Sequence, residues 1–367
     1  MTSPLATPPT IGPARTVTNR PADVFANLRT AWSTNDDAAL PPAAQSIWLN
    51  ACVATLPNGR LDMITAARDD QPVALVPLVE HRHGLWRYWT LLGDGIYEPA
   101  DVIARDPDAL DRLVLALLRR GEPLHFERLP EDSPTISAFR SRGRARLVVR
   151  LRHSCPFIPL DESWSDPQRH LTPKRREDLR RAQRRAEQHG PVAAEILTPA
   201  AGEVEELLAM ALSIESRSWK GEQKTALLHD DYRRPFYLEY AKAACRAGLL
   251  RLCFLRLGGQ PVAMQIAVQS AGALWLLKVG YDGAFARCSP GTLLIRETIR
   301  YAAATGLRSY EFLGDVEPWT QVWTQHEHRC VALDVYPFTV RGMAVCARSV
   351  ASVLKQKLKQ KWKRQPS

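Results

Sequence analysis

The chain has 367 residues, 45% of them hydrophobic, which is enough for two domains with real cores. Its seven cysteines (Cys52, Cys155, Cys245, Cys253, Cys288, Cys330, Cys346) are odd in number and never form a Cys-x-x-Cys pair, which argues against a disulfide scaffold and for reduced thiols in a cytoplasmic protein. The net charge of +10 suggests a nucleic-acid footprint only until it is located: the tail 341–367 holds eight basic residues and no acidic one, so the body carries about +2.

Residues 1–18 are rich in Pro, Thr and Ala, which bury too little surface to hold one conformation, and read as a disordered leader without the apolar core of a signal peptide. No later stretch reaches the roughly 18 apolar residues of a membrane helix. Helices are expected over 21–32 and 45–56, the second presenting Ile47, Trp48, Cys52 and Val53 on a broad face and ending at Asn58-Gly59. Strand-like runs at 61–68 and 72–80, parted by Asp69-Asp70-Gln71, read as a hairpin. A third strand at 86–92 enters a Gly-Asp-Gly loop, and a helix at 109–119 and a strand at 123–129 follow.

The second half repeats that order. Gln71-Pro-Val-Ala-Leu recurs as Gln260-Pro-Val-Ala-Met, and each copy lies between an apolar strand (61–68 or 249–257) and a series of strand, Trp-containing strand, Gly loop, helix and closing strand. The expected fold class is therefore α/β, of the α+β type with mixed sheets, in two related domains at 19–165 and 191–340. A basic helix at 171–190 links them, started by Thr172-Pro173 and stopped by Gly190-Pro191. Lys174, Arg175, Arg176, Arg180, Arg181, Arg184 and Arg185 stand there against Glu177, Asp178 and Glu187, which fits a solvated helix with local ion pairs or, alternatively, an arm for RNA or phosphate. In the tail, Leu354, Leu358 and Trp362 alternate with lysines, as in a solvated terminal helix or an amphipathic one touching an anionic membrane surface.

The most informative stretch is 273–299, ALWLLKVGYDGAFARCSPGTLLIRETI. A short apolar strand with one interior Lys278 runs to Gly280, and after the loop Leu294, Ile295, Thr298, Ile299 and Ala302 share one helical face. Ser289 or Thr292 suits a helix cap, Pro290 fixes the backbone at the entry, and Gly291 lets a ligand approach the main chain. Unpaired amides at such a helix start would suit a phosphate. An ordinary strand-to-helix connection has the same composition. The equivalent loop of the first half carries Asp106-Pro107-Asp108, whose carboxylates would repel a phosphate.

Together with Ser218-Trp219-Lys220-Gly221, Lys278-Val-Gly-Tyr-Asp282, Ser289-Pro-Gly-Thr-Leu-Leu294 and Tyr310-Glu-Phe-Leu-Gly-Asp-Val-Glu-Pro-Trp319, these segments resemble the CelD/BcsL type of GNAT acetyltransferase, which is itself similar to the FemABX peptidyltransferases in carrying tandem GNAT-like domains. The resemblance spans about 171–337. It implies acetyl-CoA or another acyl-CoA as co-substrate, no metal, and a donor pyrophosphate held by Gly280, Tyr281, Arg287, Ser289, Pro290, Gly291, Thr292 and Leu293. Against the general GNAT loop, Gln/Arg-x-x-Gly-x-Gly/Ala, Arg287 matches but Pro290 replaces the first Gly and Thr292 the last. The acceptor implied is a small amine or amino sugar, with an exopolysaccharide or cell-envelope role by association. A FemABX-like alternative would use aminoacyl-tRNA gripped by the Arg-rich helix, and a non-catalytic scaffold remains a third reading.

Acyl transfer needs a proton acceptor and a donor to the developing oxyanion. By the resemblance, the amide of Val279 or Gly280 would serve the oxyanion. The carboxylates Glu311, Asp315 and Glu317 are the base candidates, Asp315 first by the resemblance, while an ordinary strand Glu and a turn Asp are the alternatives. Trp219, Lys220 and Trp319 would border the acceptor. Tyr281 is a spare acid or simply a packed aromatic. The pairs His81/His83 and His326/His328 lack the spacing of common zinc sites and read as surface residues, and Cys288 lacks a nucleophile's partners.

Overall fold

The computed structural model describes residues 15–17, 38–56, 59–68, 71–83, 86–96, 99–218 and 227–363. The helix expected over 21–32, most of the leader, and Trp219 and Lys220 lie outside the described residues. In chain order the elements are β1 (Arg15–Val17), α1 (Ser46–Thr55), β2 (Leu61–Arg68), β3 (Gln71–His83), β4 (Trp86–Leu91), β5 (Ile103–Ala104), α2 (Pro107–Arg119), β6 (Leu124–Pro130), α3 (Pro134–Arg142), β7 (Ala145–Leu151) and β8 (Cys155–Pro159). They continue as α4 (Pro173–Glu187), β9 (Val192–Leu197), α5 (Val204–Ser216), α6 (Arg233–Arg246), β10 (Leu250–Leu257), β11 (Gln260–Ser270), β12 (Ala273–Tyr281), α7 (Pro290–Ala304), β13 (Ser309–Glu311), β14 (Glu327–His328), β15 (Cys330–Pro337) and α8 (Val340–Lys363). Among the described residues no helix is long and apolar enough to cross a membrane. All seven cysteines are buried, and none of them forms a disulfide with another.

The chain divides into two compact units, the first from Met1–Asn27, Pro57–Arg152 and Cys330–Ser367, the second from Leu28–Leu56 and His153–Arg329. Helix α1, read from sequence within the first half, is thus part of the second unit, and β15, read within the second half, is part of the first. The fold class is the expected mixed α/β with two mixed sheets. In the first sheet the order is β1-β2-β3-β4-β6-β15-β7, with antiparallel pairing everywhere except the parallel β4–β6 step. In the second the order is β9-β10-β11-β12-β13-β8-β14, again antiparallel except at β12–β13. Each sheet therefore has one parallel step, and each is extended beyond that step by a strand from the far side of the chain.

The helices form where apolar spacing meets a start signal. In α2, Leu110, Leu113, Val114 and Leu117 are buried together, Pro107 occupies the first position, and the Asp106 carboxylate accepts the Ala109 amide at 2.8 Å. In α7, Leu294, Ile295, Thr298, Ile299 and Ala302 are buried as their spacing predicts. Helix α4 buries only Leu179, Ala182 and Ala186, while Arg180, Arg181 and Arg184 pair with Glu177 or Asp178 of the same helix.

One face of the first sheet packs α2 and α3 over an apolar core containing Trp89, Phe126 and Phe139. A charged network occupies the strands at the parallel step. His125 Nδ1 lies 2.6 Å from Asp334, its Nε2 lies 2.7 Å from Glu127, and Arg150 and Arg152 pair with Asp334 and Glu127. Burial alone would lower His125, but the hydrogen bonds and charges of Asp334 and Glu127 outweigh it and raise it. Nearby, burial pushes the Asp94 carboxyl up to about 7, and its Oδ2 has no hydrogen-bond partner among the described residues. The folded-state value of Asp94 is raised, so its contribution to stability is present at low pH and is lost as pH rises through about 7; His125 is raised too, so its contribution is present at low pH and is lost as pH rises through its own elevated value. Asp94→Asn is therefore expected to stabilise the first unit by roughly 1–3 kcal/mol at pH 8 and by much less at pH 5. Thermal unfolding across that range checks it, and an equal gain at both pH values would contradict it.

Candidate active site

Strands β12 and β13 hydrogen-bond only over Ala273–Trp275 against Ser309–Glu311, and beyond Trp275 β12 continues for six residues without β13 beside it. Within that free length the register against β11 shifts: Lys278 opposes Ile266 and Leu276 opposes Ala267, so Leu277 is a bulged extra residue. The strand is held on both faces. On one side Tyr310 of β13 and Phe312 just after it join α4 and α7 in the core, and the Tyr310 hydroxyl, pushed up by burial and so neutral, bonds Thr298 at 2.9 Å. On the other, α5 packs on β12, and the Lys278 ammonium lies 4.5 Å from the Tyr237 ring centroid.

Beyond Tyr281, Asp282 accepts the Ala284 amide at 3.0 Å and starts a 3₁₀ turn, Gly283–Cys288, that leads to Ser289 in the left-handed region (φ 46). Helix α7 follows. Neither Ser289 nor Thr292 caps it by a side chain: the Ser289 carbonyl receives the Thr292 and Leu293 amides at 3.0 and 3.2 Å, and Pro290 has no N–H. The row of open amides expected here thus reduces to Gly291, whose N–H has no backbone acceptor among the described residues. Leu293 lies in the core and offers a ligand nothing but packing. A Cβ at Gly291 would meet only Tyr281 Cδ1, at 3.4 Å, so a methyl group there would sit in close van der Waals contact with the Tyr281 ring. Arg287 is exposed, and its carbonyl accepts the Arg185 guanidinium at 3.2 Å, which brings a basic side chain of α4 to the same loop.

The three carboxylates differ. Glu311 is buried, its Oε1 accepting from Ser309 Oγ at 2.7 Å and its Oε2 lying 3.2 Å from His328 Nε2. Asp315 follows Gly314 in a loop, its side chain 45% exposed and 3.9 Å from His153. Glu317 accepts the Trp319 indole N–H and its amide bonds Thr320 Oγ1 at 3.1 Å, while Trp319 packs edge-on to Phe312 at 5.7 Å. Tyr281 and Gly291 are brought together, as are Glu311 and His328, whereas Asp315 and Glu317 have separate partners.

Four residues were missed from sequence. Glu215 of α5 is buried, accepts the Leu227 amide at 3.0 Å, and lies against Gly280. Asp282 also accepts from Arg217 Nε at 2.7 Å, and the Arg217 carbonyl accepts the Gly283 amide at 3.0 Å, so the end of α5 is tied to the start of the loop. His328, read as a surface residue, contacts a buried carboxylate. Only Asp282 carried a local signal, in Gly-Tyr-Asp-Gly. The others depend on pairings distant in sequence.

Residues 173–321 match the family model described as an acetyltransferase (GNAT) domain. Among solved structures, the chain is similar to the C-terminal domain (DUF2156) of a putative lysylphosphatidylglycerol synthetase from Agrobacterium fabrum (12% identity, TM-score 0.54, covering 90% of this chain and 97% of that one). It is also similar to FemX (10% identity, TM-score 0.54, 88% and 97%) and to a Bacteroides thetaiotaomicron protein of unknown function (11% identity, TM-score 0.51, 87% and 98%). At these identities the likeness is one of fold. No curated protein matches the sequence.

The packing where β12 parts from β13 is directly testable. A Cβ at Gly280 would lie 3.0 Å from Glu215 Cα and 3.1 Å from its Cβ and Cγ. Gly280→Val is expected to destabilise the second unit by roughly 1–3 kcal/mol through overpacking, against less than about 1 kcal/mol for Gly291→Ala. Chemical denaturation compares the two, and equal effects would contradict the packing described.

Proposed function

We propose that the chain is an acyl-CoA-dependent N-acyltransferase of the CelD/BcsL type, with acetyl-CoA the first donor to test and an amino sugar or other small amine as acceptor, in a cytoplasmic step of exopolysaccharide or cell-envelope assembly. One observation carries the reading: the helix start at the open end of β12 has no side-chain cap, whereas the equivalent helix start in the first sheet is filled by its own Asp106 carboxylate. Gly291 N–H, with Arg287 and Arg185 beside it, fits a pyrophosphate. From Tyr281 back to Trp275, the last residue paired with β13, is six residues, about 20 Å at roughly 3.3 Å per residue. A donor with a long arm between its phosphates and its reacting carbon covers that span, and a compact donor does not.

When bound, such a donor supplies the activated acyl group as a thioester. The amide of Val279 or Gly280, just past the Leu277 bulge, would polarise the thioester carbonyl. Among the carboxylates, Glu311 is the one fixed inside the sheet at the place where the strands part. Asp315 and Glu317, with Trp319, would border the acceptor.

The test is direct CoA binding by calorimetry. Wild type is expected to bind CoA. Gly291→Glu is expected to weaken binding at least about 100-fold while folding normally, because a carboxylate is favourable at a helix start but repels phosphate. Gly291→Ala is expected to bind within about fivefold of wild type, given the ordinary contact a methyl group would make. No binding by wild type, or equal binding by Gly291→Glu, would remove the donor assignment.

A further inference from the structure

We propose that His328, oriented by Glu311, takes the proton from the attacking amine. The inference rests on the reading of this site as one of acyl transfer. Register brings the two residues together: His328 of β14 opposes Cys155 of β8, and Phe157 of β8 opposes Glu311 of β13. The imidazole stacks on Phe157 with ring centroids 3.8 Å apart and planes 13° from parallel. Its Nε2 lies 3.2 Å from Glu311 Oε2, while the other carboxylate oxygen is held by Ser309.

The division of labour follows from exposure. The Glu311 side chain is 6% exposed with both oxygens engaged, which suits a group that holds an imidazole and not one that reaches a substrate. The His328 side chain is 50% exposed. A carboxylate can only accept, so Nε2 carries the hydrogen and Nδ1 is the basic nitrogen. Glu311 also pairs with Trp275, the last residue of β12 before the strands part, which puts the dyad at the closed end of the opening. In the reaction the amine nitrogen bonds to the thioester carbon, its proton passes to His328 Nδ1, and the carbon–sulfur electron pair leaves with the CoA sulfur as thiolate. The imidazolium then returns the proton to the thiolate or to water.

The experiment uses the full chain with acetyl-CoA and glucosamine as probes. His328→Gln is expected to lower kcat about 100-fold or more, with acetyl-CoA affinity within about twofold, and to abolish the fall of kcat at acid pH. His328→Ala is expected to regain part of its rate with added imidazole. In wild type, nitrogen NMR is expected to show His328 protonated on Nε2 at neutral pH, a preference lost in Glu311→Gln, whose kcat falls without a change in acetyl-CoA affinity. An Nδ1-protonated wild-type ring, or wild-type kcat and pH profile in His328→Gln, overturns the proposal while leaving the donor site standing. Wild type that binds acetyl-CoA but releases no CoA to glucosamine or water overturns the proposal alone. Wild type that does not bind acetyl-CoA overturns the acyl-transfer reading and the proposal with it.

Discussion

The second unit depends on a single limit in backbone pairing: β12 and β13 run parallel for three residues and then part. An unpaired strand edge inside a sheet leaves main-chain groups to be satisfied elsewhere and invites something to fill the gap. Here the parting is held in place from both faces, by Tyr310 bonding Thr298 of α7 on one and by Glu215 against Gly280 on the other. The bulge at Leu277 re-aims the strand within the opening, as bulges do. At its far end the Asp282–Arg217 pair ties the loop to α5, so the start of α7 has a defined position relative to the open strand.

The first sheet makes the same parallel step, pairing β4 with β6 only at Trp89–Leu124 and Thr90–His125, yet uses it differently. Its opening holds His125 among carboxylates and arginines, and the helix that follows is capped by Asp106, whose carboxyl is held below its usual range by the Ala109 amide and by Arg68. Two sheets of one topology thus present opposite electrostatics at the corresponding helix start. Fold alone does not assign chemistry to either, and the difference lies in a few side chains.

Much of this was legible in the sequence because it is local. The strands at 61–68, 86–91 and 273–281 and the helices at 107–119, 173–187 and 290–304 follow from periodicity and from Pro, Gly and Asp punctuation, and the repeat of Gln-Pro-Val-Ala gave the correspondence of the two sheets. What escaped is non-local. Nothing in Cys330–Pro337 says that it pairs with β6 and β7, or in Cys155–Pro159 that it lies beside β13, because strand partners far apart in sequence leave no periodic trace. The same reason hid Glu215 and His328, whose roles come from contacts across 65 and 17 positions with Gly280 and Glu311. The helix start at 290 misled in a smaller way: its composition promised several free amides, and the left-handed turn at Ser289 consumes two of them.

The central claim, that the opening beside β12 and the start of α7 form one donor site, is tested most directly by amide hydrogen exchange with and without CoA. The account predicts slowed exchange at Gly291 and along β12 from Leu276 to Tyr281, where β13 no longer runs beside it, with no comparable change at the start of α2. Protection at α2, or none at Gly291 under saturating CoA, would contradict it.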